Sequence, residues 1–241
     1  GDPVLVADAL VEIGRLNASN SNFSLAEGYL LRAEKILQSN TSDLENLNDY
    51  RYAKALLLLH DTKFEEAFAL LDSAKSFYER TSMLMKMITL HIDLGSIFMS
   101  RGEYEVALKN YYTALRFAEP KGFLIQAMDI EVRLGWVNYH LGEYQQAVEF
   151  AKKSLAKAEQ INISDRIANA YTLLGVTYTE TKNFVEAEKY LDEVLKIRTR
   201  KDDPTTVSEA YLNLGYLKER QKNYSAAREY YTASIEAGKK T

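Results

Sequence analysis

The sequence predicts an all-α solenoid of about six helix-turn-helix units, about 12 helices in all, and two observations carry that prediction. An aromatic residue is followed three positions later by an alanine six times, at Phe23 and Ala26, Phe64 and Ala67, Tyr104 and Ala107, Tyr144 and Ala147, Phe184 and Ala187, and Tyr224 and Ala227. Twelve residues before each alanine stands a small residue, Gly14, Ala55, Gly95, Gly135, Gly175 or Gly215, and the copies are spaced by 41, 40, 40, 40 and 40 residues. A fixed period of this size marks stacked units, each of which buries its apolar face only against the next.

The repeats fall at about 1–40, 41–80, 81–120, 121–160, 161–200 and 201–241, read as one continuous array. In the first, Asp2 before Pro3 caps a helix start. The second begins near Ser42 and Glu45, which have capping-box spacing. The third holds Leu94 and Gly95 in one helix and Tyr104, Ala107, Tyr111 and Ala114 in the next, and Pro120 lies in the turn that follows. In the fourth, Ile130, Leu134, Val137 and Leu141 recur at helical spacing, and after the Gly142-Glu143 break so do Tyr144, Ala147, Val148, Ala151 and Leu155. The fifth has Asn183 and Glu186 at a second capping-box spacing, and the sixth opens on Asp203 before Pro204. Gly135 and Ala147 read as the crossing contact of a helix pair, where a bulky side chain pushes the helices apart. The aromatic opening each second helix is expected to plug the gap beside them.

This pattern resembles the tetratricopeptide repeat. The third copy carries Leu94, Gly95, Phe98, Gly102, Tyr104, Ala107, Tyr111 and Ala114 at that family's positions, and the fifth carries Leu174, Gly175, Tyr178, Phe184, Ala187 and Leu191. The first two copies depart from it at Asn17, Ala55 and Leu58. The resemblance covers essentially the whole chain and implies a right-handed superhelix. The period of 40 exceeds the usual ~34 by about one and a half helical turns, through longer helices or longer inter-unit turns.

A hydrophobic fraction of 46% suffices for a packed core, and a formal net charge of -4 gives no electrostatic case for nucleic acid as a partner. The absence of cysteine excludes disulfides and thiolate chemistry without fixing a compartment. There is no apolar run of about 18 residues, so no membrane insertion by this segment is expected, nor does the N-terminus read as a secretory signal. A cytoplasmic location is expected, with an extracytoplasmic one open if a leader was removed. Both ends are abrupt, and Tyr224, Tyr230, Tyr231 and Ile235 are followed by no polar capping helix. The chain thus reads as part of a longer protein, with self-association through its C-terminal end as a further expectation. Asn17, Asn22, Asn40, Asn162 and Asn223 head Asn-x-Ser/Thr triplets, read here as turn and cap residues.

Neither a phosphate-cradling glycine loop nor a His-Glu-x-x-His helix is present, and His60, His91 and His140 lie in different repeats. No cofactor, no metal and no enzymatic activity are expected. The resemblance implies that the first helices line a concave groove, at offsets of six and three before the crossing residue and one, four and five after it. Those offsets select Asp49, Tyr52, Leu56, Leu59 and His60 in the second copy and Thr89, Ile92, Ser96, Met99 and Ser100 in the third. In the fourth they select Asp129, Val132, Trp136, Tyr139 and His140. The fifth gives Asn169, Thr172, Val176, Thr179 and Glu180, and the sixth Glu209, Leu212, Tyr216, Glu219 and Arg220. Trp136, the only tryptophan, stands with Tyr139 and His140 as the richest anchor cluster.

The lysine and asparagine clamp that some family members use for acidic chaperone tails does not recur. An asparagine ladder two residues before the glycine is also incomplete, with Asn213 against Asp93, Arg133 and Leu173. The sequence thus suggests a non-catalytic scaffold or sensor module that binds a protein or peptide segment in its groove, as part of a bacterial signalling protein. A receptor resembling the bacterial quorum-sensing peptide receptors is the alternative.

Overall fold

The computed structural model describes residues 2–20, 22–39, 43–201 and 203–239. Among them are twelve α-helices and no strand: α1 (Pro3–Ser19), α2 (Phe23–Ser39), α3 (Leu44–His60), α4 (Phe64–Arg80), α5 (Leu84–Ser100), α6 (Tyr104–Ala118), α7 (Leu124–His140), α8 (Tyr144–Gln160), α9 (Ser164–Glu180), α10 (Phe184–Lys201), α11 (Pro204–Arg220) and α12 (Tyr224–Gly238). A single 3-10 turn, Glu119–Lys121, follows α6 and holds Pro120. The helices form two compact units, residues 1–117 and 118–241.

The long period has a simple origin. Most helices have 17 residues, and apart from the five-residue connection after α6, which ends in the same way, the fully described connections share one three-residue form. The middle residue of that form is left-handed: Thr62, Ser82, Gly102, Gly122, Asn162, Lys182 and Lys222 have φ between 52° and 76°, and Gly142 has φ 79°. The next N–H then bonds back five residues to close the helix end, as Glu143 does to the Asn138 carbonyl at 2.8 Å and Asn183 to the Tyr178 carbonyl at 2.8 Å. Two helices of 17 residues and two such turns make a repeat of 40. The added length lies in the helices, not in loops.

Asp2 and Asp203 cap as expected, accepting from the N–H groups of Val4 at 3.0 Å and Thr205 at 3.1 Å. Asn223 accepts from Ala226 N–H at 3.3 Å. The side-chain amide of Asn183 donates to Thr181 Oγ1 at 3.3 Å. Ser42 and Asn40 lie outside the described residues.

The six repeat alanines are buried. The gap beside each crossing glycine is filled, however, by a residue other than the expected aromatic. A Cβ built at Gly95 or Gly215 would lie 2.5 Å from the ring of Tyr111 or Tyr231, and at Gly14 and Gly175 it would meet Leu30 and Leu191. These fillers stand one helical turn beyond the alanine, on the face that meets the first helix. In the fourth repeat that place is Ala151, and Leu173 of the next repeat reaches over to fill it. The aromatics that open the second helices are pushed to the seam with the following repeat instead. Phe23 stacks on His60 at 3.5 Å, Arg101 lies over Phe64 at 4.8 Å, and Phe184 packs against the cluster containing Leu214 and Leu217.

Within the first unit α1 touches α3 and α3 touches α5; within the second α7 touches α9 and α9 touches α11. The first helices of successive repeats therefore share one face in each unit. That face positions the site.

Candidate functional site

The second unit has a cleft of about 520 Å³ on the face shared by α7, α9 and α11. Asp129, Val132, Arg133 and Trp136 line it from α7, Arg166, Asn169 and Thr172 from α9, and Thr206, Glu209, Ala210 and Asn213 from α11, while Val194 and Arg198 reach in from α10. Spacings of three and four along each first helix put these residues on one stripe.

Arg166 grips Asp129 across the repeat boundary, with Nη2 donating to Oδ2 at 2.9 Å and Nε 2.6 Å from Oδ1. Burial pushes the Asp129 carboxyl above its usual range, against the opposing pull of Arg166 and Arg133. Arg198 is held by Asp165 Oδ1 at 3.0 Å and Asn169 Oδ1 at 2.6 Å, and its side chain is 13% exposed. Trp136 is half-buried, packed against the cluster of Ala151, Leu173 and Leu174, with its ring 5.5 Å from Tyr139 and 6.4 Å from His140.

Of the residues expected on a groove wall, Asp129, Val132, Trp136, Asn169, Thr172 and Glu209 come together here, joined by Asn213 from the incomplete asparagine ladder. Tyr139 and His140 sit at the C-terminal end of α7, edge-on to one another at 5.4 Å. On α11, Tyr216 donates to Glu180 Oε1, and Arg220 Nη2 donates to Glu180 Oε2 at 3.2 Å. These four side chains lie outside the cleft lining. Val176 is only 6% exposed, and Thr179 is fully buried with its hydroxyl donating to the Gly175 carbonyl at 2.9 Å. These two positions are therefore buried, not on an accessible wall. Leu56 and Leu59 are likewise buried in the first unit.

The arginine wall was missed by those offsets. A signal for part of it is present in the sequence: a base nine residues before one crossing glycine and an acid six residues before the preceding crossing residue stand 37 apart, at Asp129 and Arg166 and again at Asp49 and Lys86. Lys86 bonds Asp49 in the first unit as Arg166 bonds Asp129 in the second.

The first unit has a cleft at the corresponding repeat positions, about 310 Å³, lined by Asp8, Val11, Glu12, Arg15, Asp49, Tyr52, Met85, Lys86 and Thr89. Side chains of the chain itself cross beside it. Tyr52, 3% exposed, donates to Asp93 Oδ2 at 2.6 Å, and its hydroxyl lies 3.2 Å from the Thr89 carbonyl. Arg15 of the first repeat pairs with the same Asp93 of the third. No group of acidic and histidine side chains among the described residues could hold a metal ion.

An all-α stack of helical hairpins with a side-chain-lined cleft on its first helices defines a repeat-built scaffold. A model of the tetratricopeptide repeat matches residues 86–160 and 166–240, more than half of the chain, and the chain belongs to that family. The fold is similar to that of BtubC (BKLC) from P. vanneervenii, with a TM-score of 0.69, 18% identity, and coverage of 94% of this chain and 90% of that one. It is also similar to a Rap protein complexed with competence and sporulation factor, with a TM-score of 0.68, 16% identity and coverage of 94% and 73%. NprR in complex with its cognate peptide NprX gives a TM-score of 0.60, 18% identity and coverage of 96% and 67%. A search of curated protein sequences gave no significant match. Among the described residues no helix is long and apolar enough to cross a membrane.

Proposed function

We propose that this chain is a non-catalytic module that binds a peptide or protein segment in the cleft of its second unit, as the sensor or scaffold part of a bacterial signalling protein in the cytoplasm. The observation that carries the reading is the contrast between the clefts. The first-unit cleft is narrowed to about 310 Å³ by Tyr52 and the Arg15–Asp93 pair, whereas the corresponding positions of the second unit hold Thr172, Trp136 and Asn213 around about 520 Å³. An aromatic anchor with polar groups around it is the usual composition of a peptide-contacting pocket.

Two structural relatives support a peptide in particular, since one is NprR with its cognate peptide and the other a Rap protein with competence and sporulation factor. They also favour the regulatory peptide receptor as the form this function takes. In this reading the six repeats form one continuous array over residues 1–241, and Tyr139, His140, Val176, Tyr216 and Arg220 shape the surroundings of the ligand. Self-association through the C-terminal end is a weaker second reading, supported by Ile235 and Tyr224, which are 61% and 66% exposed.

The test uses Trp136 as an intrinsic reporter, because it is the only tryptophan. Peptides selected from a random library on the immobilised chain should change its fluorescence on titration, and the Trp136→Ala variant should bind them at least about tenfold more weakly. Selection that yields no peptide perturbing Trp136 would sink the proposal.

A further inference from the structure

The two clefts differ in charge as well as in filling. The first-unit cleft carries Asp8, Glu12 and Asp49 against Arg15 and Lys86, with Arg15 paired to Glu12 and Asp93 and Lys86 to Asp49. In the first unit the acids of this frame are thus met by the chain's own guanidinium and ammonium groups. In the second unit Arg133 stands where the first has Glu12, Asn169 where it has Asp49, and Asn213 where it has Asp93. Arg166 and Arg198 add two further guanidinium groups to the lining, against Asp129 and Glu209. Arg15, one of the two basic residues of the first cleft, has become Trp136.

Resting on the reading that a peptide segment occupies this cleft, we propose that the segment presents a carboxylate to the wall of Arg133, Arg166 and Arg198, with an apolar side chain beside it against Trp136 and Val132. Guanidinium groups are suited to this because their planar donors meet a carboxylate in pairs, and because they tolerate partial burial better than an ammonium. Arg198 is already oriented by Asp165 and Asn169. An arginine fixed by its own partners loses little further freedom when it receives a ligand. The carboxylate can come from an aspartate or glutamate side chain or from the end of a chain.

The experiment is selection from a random twelve-residue peptide library prepared with free and with amidated C-termini, followed by titration of the selected peptides against Trp136 fluorescence. Enrichment of acidic residues in both libraries assigns a side-chain carboxylate, and selection confined to the free-ended library assigns a terminal one. Either result supports the proposal if replacing that carboxylate by an amide weakens binding about tenfold or more. Arg198→Gln should lower affinity to a similar degree. Glu209→Gln, which removes a like charge from the lining, should tighten it by about twofold or more, an effect that misfolding cannot mimic. Neutral or basic selected sequences, with affinities indifferent to both substitutions, would overturn the acidic ligand and leave the peptide-binding reading standing. Failure to select any peptide that perturbs Trp136 overturns both.

Discussion

The two units place the same repeat positions around a cleft and reach opposite outcomes. In the first, Tyr52 spans the middle and Asp93 collects both its hydroxyl and Arg15, so that the first and third repeats are tied by side chains of the chain itself. In the second, Thr172 is too short to span, and Trp136 and Asn213 stand where the pair would be. One frame is thus crossed by the chain's own side chains in one unit, where the cleft is about 310 Å³, and leaves about 520 Å³ in the other. The difference is made at a handful of side chains, with the backbone periodicity unchanged.

That comparison can be broken from either side. The largest effect is expected from Asp93→Ala, which strands Arg15 and Tyr52 without their shared partner. It should lower the stability of the full chain by about 2 kcal/mol or more in urea unfolding, because the buried Tyr52 hydroxyl loses its partner and Arg15 keeps only Glu12. A loss under about 1 kcal/mol would mean that the network does not hold the first unit together. Thr172→Tyr copies the first unit's plug into the second. Binding of selected peptides should fall at least about tenfold while helical circular dichroism is unchanged, and retained affinity would place the ligand elsewhere.

A third difference concerns Glu131, which stands where the first unit has Leu10. Glu131 is 1% exposed, it pairs with Lys157, and its Oε2 is buried without a hydrogen-bond partner. Burial outweighs Lys157 and raises its carboxyl above the ordinary value. Its folded form therefore holds a proton more tightly than the unfolded chain. The stability this contributes is present at acid pH and is lost as pH rises from the ordinary glutamate range through the raised folded value. Melting temperatures across that window should fall less with pH in Glu131→Gln than in the wild type. Equal slopes would show that Lys157 fully compensates the charge.

The smallest effect belongs to the turns that both units share. Lys182 adopts φ 61° where Gly142 serves one repeat earlier. Lys182→Gly should gain about 0.5–1 kcal/mol in the same unfolding experiment, offset in part by the glycine's greater freedom when unfolded. A destabilisation would show that the lysine side chain contributes more than its backbone strain costs.

Much of this architecture was legible beforehand. The recurrence of aromatic, alanine and small residue placed the helix pairs, since burial at a helix crossing tolerates only small side chains and therefore repeats with the structure. The fillers of those crossings were not legible from Gly95 alone. Tyr111 fills that gap from its own repeat, but Leu173 fills the one at Gly135 from the next, because Ala151 is too short. The site was legible in part for the same reason. Asp129, Val132, Trp136, Asn169, Thr172 and Glu209 line the cleft as their offsets indicate, yet Val176, at another of those offsets, is buried.

The sequence by itself determined what depends on local spacing: twelve helices, their caps at Asp2 and Asp203, a 40-residue period and a family pattern. Only the tertiary structure decided which of two corresponding clefts is the larger. That outcome depends on whether side chains far apart in the chain, such as Arg15 and Asp93, are long enough and suitably charged to meet across an intervening repeat. Periodicity fixes positions, whereas reach and charge across repeats fix occupancy.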